Sequence, residues 1–342
     1  MHDLTAVPDT DPIEIYRLRD GFYATDLVAA ALVHFDFFSW LAKRPADLPA
    51  ICRDLQIAAR PADVMLTLFA ALGFVESRDG VLHVTSLARE HLVSSSPWFV
   101  GPYYAALKDR PVCQDYVEVL RTGRPANWGG AKAGKDWHKS MEDPAFADQF
   151  TAAMDCRGVY LAPAVARAVD FRGATRLLDV AGGSGIYACT IVAHHPNLRA
   201  TVLEKPPVDA VARRAIERRR CAGKVDVVAG DMLREGWPAA CDAHLISNVL
   251  HDWDEPVVKE LLAKSHQALP RGGKLVIHDA HLNESKTGPL PVARYSALLM
   301  HSTEGRCYSV AEIGGWLEAA GFGEVRFIPT AADRSVVTAR RK

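Results

Sequence analysis

The stretch Leu177-Leu178-Asp179-Val180-Ala181-Gly182-Gly183-Ser184-Gly185 carries the strongest chemical signal in the sequence. Glycines let a backbone approach a bound ligand closely, and an acid just ahead of them can accept hydrogen bonds from a cationic group. Gly183 to Ala188 also fits the looser glycine pattern of dinucleotide-binding turns, so the turn alone decides little. Asp179, however, would repel a pyrophosphate and would welcome an ammonium. A second acid, Glu204 in Leu203-Glu204, suits the two hydroxyls of a ribose. A third, Asp231 in Gly230-Asp231-Met232, stands beside a flexible thioether and suits the amine edge and face of an adenine. Each acid by itself is more often a turn residue or a helix cap. In this order they offer partners for ammonium, ribose and adenine, a set that describes S-adenosylmethionine better than a dinucleotide.

Such residues work only if strand ends bring them together. From Thr175 onward apolar strands alternate with helices, with strands expected over 176–180, 200–203, 225–228, 243–246, 274–277, 324–328 and 335–339. Helices are expected over 186–194, 208–219, 256–269 and 310–320. The alternation predicts a mostly parallel α/β sheet with helices on both faces, and the last two strands an antiparallel edge.

The chain before residue 110 is helical in pattern. Tyr23 to Leu41 is apolar on most faces, through Leu27, Leu32, Phe35, Phe37, Phe38 and Trp40, and a helix of that kind is buried on more than one side. Burial by a second copy of the chain is the expectation. Two short helices, over 48–55 and 61–72, precede a hairpin of 74–77 and 81–84, the pattern of a winged helix. Its second helix offers Asp63 and Thr67 but no Lys or Arg, which favours an interaction module over a DNA reader. Residues 110–150 are punctuated by Gly123, Pro125, Gly129, Gly130 and Gly134 and hold Trp128 and Trp137, as a loop-rich lid or linker would. The division expected is 1–110, a helical winged-helix dimerisation domain; 111–170, a linker and helices covering an acceptor pocket; and 171–342, the ligand-binding catalytic domain.

Composition sets outer bounds. The 342 residues are 49% hydrophobic and 24% charged, ordinary for a globular protein, and the net charge of −1 gives no global field for a polyanion. Nucleic acid and membrane are therefore not expected partners; the most apolar early run, Leu27 to Val33, is too short to span a bilayer. Seven cysteines are scattered without a Cys-x-x-Cys pair, and the first residues do not resemble a signal peptide, so a reduced, cytoplasmic setting is expected.

In its motifs the carboxy-terminal part resembles the class I S-adenosylmethionine-dependent methyltransferases. The whole chain resembles the small-molecule O-methyltransferases that carry an N-terminal winged-helix dimerisation domain. The resemblance implies a Rossmann-like sheet, a homodimer and a cofactor site of Asp179, Ala181, Gly182, Gly183, Gly185, Glu204, Asp231 and Met232, with Ala181 where a first glycine is usual. Ser247 falls where the family often has a basic cofactor contact. In Val249-Leu250-His251-Asp252-Trp253-Asp254 it implies that His251 is the general base and that Trp253 stacks near the adenine. Imidazole suits the task, since a hydroxyl attacking a sulfonium methyl must lose its proton near neutral pH. Asp279 matches an orienting acid. A second, normally a Glu, is replaced by Cys307, with Glu304 nearby but out of register. Phe150, Met154, Met300 and His301 are the candidate acceptor-lining residues. His251 and His301 also resemble a small branch that C-methylates 2-oxo acids with two histidines on a divalent or ferric metal. A winged-helix regulator with a ligand-sensing domain is the alternative from another class.

Overall fold

The computed structural model describes residues 3–126 and 140–342. Trp128, Gly129, Gly130, Gly134 and Trp137 of the expected lid lie outside the described residues. Two compact units emerge, neither contiguous in sequence: Met1–Ile13 with Ala133–His281 and Val310–Lys342, and Glu14–Lys132 with Leu282–Ser309.

The first unit is built on seven strands. The strands of the whole chain are β1 (Val75–Arg78), β2 (Val81–Val84), β3 (Arg176–Val180), β4 (Arg199–Glu204), β5 (Val225–Ala229), β6 (Ala243–Ser247), β7 (Lys274–Asp279), β8 (Phe322–Pro329) and β9 (Ser335–Arg341). The sheet runs β5-β4-β3-β6-β7-β9-β8. From β5 to β7 every pairing is parallel, while β9 is antiparallel to both β7 and β8, the edge expected from the missing helix between them. Leu177, Leu178, Leu245, Val276 and Ile277 are fully buried, as strands covered on both faces must be. The chain leaves β3 toward β4 on one side and returns through β6 on the other. That reversal opens a crevice at the carboxyl end of β3, where open α/β sheets bind ligands.

The second unit is helical apart from the β1–β2 hairpin. The stretch expected as one helix over 23–41 is broken: a helix at Ala24–Ala29, a π turn at Ala30–His34 and a new helix at Phe37–Lys43. Asp36 makes the break with a left-handed φ of 44°, a conformation a short polar side chain tolerates. The break corrects the expected packing. Phe37 and Phe38 are fully buried inside this unit, Phe38 lying 4.9 Å from the Phe69 ring and 5.9 Å from Phe74 by centroids. They are spent on the chain's own core and are not the surface a second copy would cover.

The second helix of the winged-helix pattern, Ala59–Ala71, starts earlier than expected and so does carry an arginine. Arg60, however, donates inward to the carbonyls of Gly123, Met300, Thr303 and Gly305 at 2.9–3.2 Å. It thereby satisfies carbonyls at the end of the Leu290–Ser302 helix that the helix itself leaves open. Asp63 of the same helix is held by Lys286 at 2.6 Å and Arg306 at 3.3 Å. Among the described residues no single helix is long and apolar enough to cross a membrane.

Candidate active site

The glycine turn leaves β3 under tight steric rules. A Cβ at Gly182 would lie 2.6 Å from the Asp179 carboxyl carbon, and Gly183 and Gly185 have φ of 58° and 73°. Ala181 takes a left-handed φ of 52°, which costs an alanine roughly 1–2 kcal/mol relative to the glycine usual there. Asp179 is buried beneath this turn, with no side-chain partner among the described residues and only the Ala188 amide of the following helix to oppose its desolvation. Burial pushes its pKa up to about 7. A buried, unpaired carboxylate is expensive, and a cationic ligand at the turn would satisfy it.

Glu204, at the end of β4, accepts from the Gly183 amide at 3.0 Å and the Lys205 amide at 2.9 Å. It therefore ties the second strand end to the turn, and a carboxylate with four lone-pair positions still has acceptors for ribose hydroxyls. Asp231 is partly used locally: Oδ1 accepts from the Leu233 and Arg234 amides at 2.8 and 3.3 Å. Met232 is half-buried, and its carbonyl receives the Trp237 indole at 2.8 Å.

Ser184 brings in a residue that sequence reading missed. Its hydroxyl donates to Asp155 of the Pro144–Ala168 helix, and Arg219 donates to both oxygens of the same carboxylate at 2.5 and 2.6 Å. Arg219 belongs to the basic run 213–220 whose pattern reads as a solvated helix face, yet its side chain is 16% exposed. No local pattern marks Asp155, because its partners lie on other elements.

Past the end of β6, Asn248 has a left-handed φ of 54° and turns the chain toward His251. Asn248 Nδ2 donates to the Tyr187 hydroxyl at 3.1 Å and to Ser247 Oγ at 3.0 Å, and Ser247 Oγ bonds His278 Nδ1 at 2.9 Å. Ser247 is thus a member of a polar network beneath the turn. Asp254 accepts from the Val257 amide at 3.2 Å and caps the Glu255–Ala268 helix, which fixes the exit from the His-Asp-Trp turn. Trp253 is half-buried at that exit.

His251 is buried, and its Nδ1 lies 2.5 Å from Asp279 Oδ1 at the end of β7. Nε2 is 3.6 Å from Asp252 Oδ1. Burial works against charging the ring, but the carboxylates of Asp279 and Asp252 outweigh it and hold the pKa above the ordinary histidine value. Burial would raise Asp279, yet the charge and hydrogen bond of His251 bring it down to about 2. The pair is a buried imidazole with its tautomer fixed by an ionised acid, leaving Nε2 as the basic nitrogen.

The remaining candidates divide between the two units. Phe150 stacks on Phe146 with ring centroids 6.2 Å apart, beside the buried Met141, Ala147 and Val208, and Met154 is half-buried. Met300, His301, Glu304 and Cys307 belong to the helical unit. There His301 Nε2 lies 3.1 Å from Asp115, with the Tyr23 and Tyr116 rings 4.8 and 5.3 Å away. Cys307 is buried, its amide donating to Ser296 Oγ at 3.1 Å, whereas Glu304 is exposed. Among the described residues no three His, Cys, Asp or Glu are grouped to hold a metal ion.

The comparisons with known proteins bear on this geometry. A family model described as the O-methyltransferase domain matches residues 114–323. The chain is 33% identical over 320 residues to a 3-hydroxy-5-methyl-1-naphthoate 3-O-methyltransferase of Streptomyces sahachiroi, covering 93% of this chain and 91% of that one. This chain belongs to the O-methyltransferase family. It is an S-adenosylmethionine-dependent methyltransferase for a small-molecule acceptor, with the Rossmann-like sheet and N-terminal helical unit of that family. An O-methyltransferase family 2 protein from Planctomyces limnophilus, solved with apigenin, is 34% identical with a TM-score of 0.90, covering 100% of this chain and 99% of that one. Human N-acetylserotonin methyltransferase, solved with S-adenosylmethionine, shares the fold at a TM-score of 0.62 and 23% identity, covering 96% of each chain. The methyltransferase's glycine turn and unpaired Asp179 fit that cofactor: an ammonium supplies the missing donors, and Glu204 retains acceptors for a ribose.

Proposed function

We propose that this methyltransferase transfers the methyl group of S-adenosylmethionine to a hydroxyl of an aromatic or conjugated small molecule, with His251 Nε2 as general base. The cofactor, held by Asp179, the 181–185 turn, Glu204 and the Asp231-Met232 pair, supplies an electrophilic methyl on sulfonium. The observation that carries the reading is the buried His251–Asp279 pair at 2.5 Å. Asp279 fixes the ring and stabilises the imidazolium formed when His251 takes the hydroxyl proton. Placement in line with the methyl then supplies much of the rate. Trp253 and the half-buried Met232 flank the adenine in this reading. The Streptomyces sahachiroi relative, by its name, methylates a ring hydroxyl, which supports an aromatic acceptor. Metal-assisted C-methylation is not favoured, since relatives at 33% and 30% identity are by their names O-methyltransferases. The test is a methyl-donor assay on phenols and 2-oxo acids with and without a chelator; phenol methylation insensitive to chelation is expected.

The pH profile follows from the pair. His251 must be neutral to act, and its pKa is raised, so turnover falls as pH drops through a value above the ordinary histidine one. Asp279→Asn removes the anion that stabilises the imidazolium. The acid limb of kcat/KM then moves to lower pH as kcat declines. A limb that stays where it was after the substitution contradicts the orienting role.

The helical unit serves, in our reading, as a winged-helix association module of a cytoplasmic C2 dimer, with no role in nucleic-acid or membrane binding. Arg60 and Asp63 of its second helix are engaged within the unit. One apolar surface available to a second copy lies on the Ile13–Asp20 helix and just past it: Ile15, Leu18 and Phe22 are 70%, 75% and 48% exposed at one-face spacing. Sedimentation at low concentration should show a dimer, and Leu18→Glu a monomer.

A further inference from the structure

Within Gly182-Gly183-Ser184-Gly185 the rest of the protein has one side chain to grip, that of Ser184. Glycine loses more backbone freedom on ordering than any other residue, and Gly183 and Gly185 on either side sit at left-handed φ of 58° and 73°. Ala181 adds a left-handed φ of 52°, a strain that persists only where surrounding contacts fix it. From the β4 side, Glu204 grips the Gly183 amide at 3.0 Å. From the Pro144–Ala168 helix, Asp155 accepts the Ser184 hydroxyl.

The second anchor is firmly built. Ser184 is 4% exposed. Arg219, just past the Val208–Arg218 helix, donates to both Asp155 oxygens at 2.5 and 2.6 Å. That pairing neutralises the carboxylate and engages both its oxygens, so Asp155 acts on the turn and not on a ligand. Three residues along the same helix face, a Cβ at Gly158 would lie 2.4 Å from Ile186, the first residue of the helix that the glycine turn opens. This close approach sets the distance at which Asp155 meets Ser184. With the methyl donor seated on the 181–185 turn, as in the reading above, we propose that Asp155 is a positioning residue for S-adenosylmethionine, presetting through Ser184 the turn that receives the cofactor. A hydroxyl donating to a carboxylate is a charge-assisted bond, stronger than a neutral one. A turn ordered in advance does not have to be ordered on binding.

The experiment is calorimetric titration of S-adenosylhomocysteine into wild type, Ser184→Ala, Asp155→Ala, the double variant and Asp148→Ala, with thermal melting followed alongside. Ser184→Ala and Asp155→Ala should each weaken binding about 10-fold, as loss of one charge-assisted hydrogen bond allows. The double variant should bind no worse than the weaker single variant, since both substitutions sever the same bond. Asp148 pairs with Arg214 at 2.7 Å and joins the same two helices without reaching the turn, so Asp148→Ala should bind like wild type. Wild-type affinity in Ser184→Ala overturns the proposal, even where Asp155→Ala fails to fold. Additive losses in the double variant overturn it too, as does an equal loss in Asp148→Ala, which would make Asp155 a clamp between helices and no more. Neither acceptor nor turnover enters the measurement, so these outcomes leave the general-base reading standing. Glu204→Ala, titrated in parallel, separates the two failures: a loss there with none at Ser184 removes the role of Asp155 alone, whereas no loss in any variant removes the turn as the cofactor site.

Discussion

Replacing His251 by alanine lowers kcat about 10²–10⁴-fold, the range of a lost general base, and leaves S-adenosylmethionine affinity unchanged. The ring is buried and Asp279 engages Nδ1, which makes Nε2 the proton acceptor in the proposed reaction. The glycine turn, Glu204 and Asp179 do not depend on it for their own contacts. Alanine also leaves Asp279 without its partner, so a loss of folding has to be separated from a loss of chemistry. His251→Asn keeps a polar side chain in place and answers that. Both variants should bind the cofactor in calorimetry and melt cooperatively while failing to turn over. Full activity in either one sinks the base assignment.

Glu204→Ala should weaken cofactor binding by about 1–3 kcal/mol, the usual cost of leaving hydrogen-bonding groups without a charged partner. Two causes act together. The ribose loses its acceptors, and the Gly183 amide loses the oxygen 3.0 Å away that helps to hold the turn. Glu204→Gln separates them, because an amide oxygen can still accept from Gly183 while the charge is gone. Calorimetry should place the glutamine variant between wild type and alanine. Unchanged affinity in the alanine variant rules out Glu204 as a ribose partner.

The sequence by itself determined the sheet. The boundaries of the strands and of the four expected helices from Arg176 to Arg341 lie within a few residues of those expected, because a period of two, a period of 3.6 and glycine punctuation are local properties, whereas the Leu290–Ser302 helix is not among those expected. It also placed Asp179, Glu204 and Asp231 at or just past three strand ends, and His251 with Asp279 at two more. Those positions follow once strand order is granted. What only the tertiary structure decided is who answers whom across elements. Asp155 holds Ser184 and Arg219 from a distant helix, Arg60 caps a helix some 240 residues away, and Phe37 and Phe38 fill the chain's own core. His301 Nε2 faces Asp115. A pairing of this kind costs desolvation and is returned only by the geometry of the finished fold. No window of sequence contains both partners, so no pattern within one could have named them.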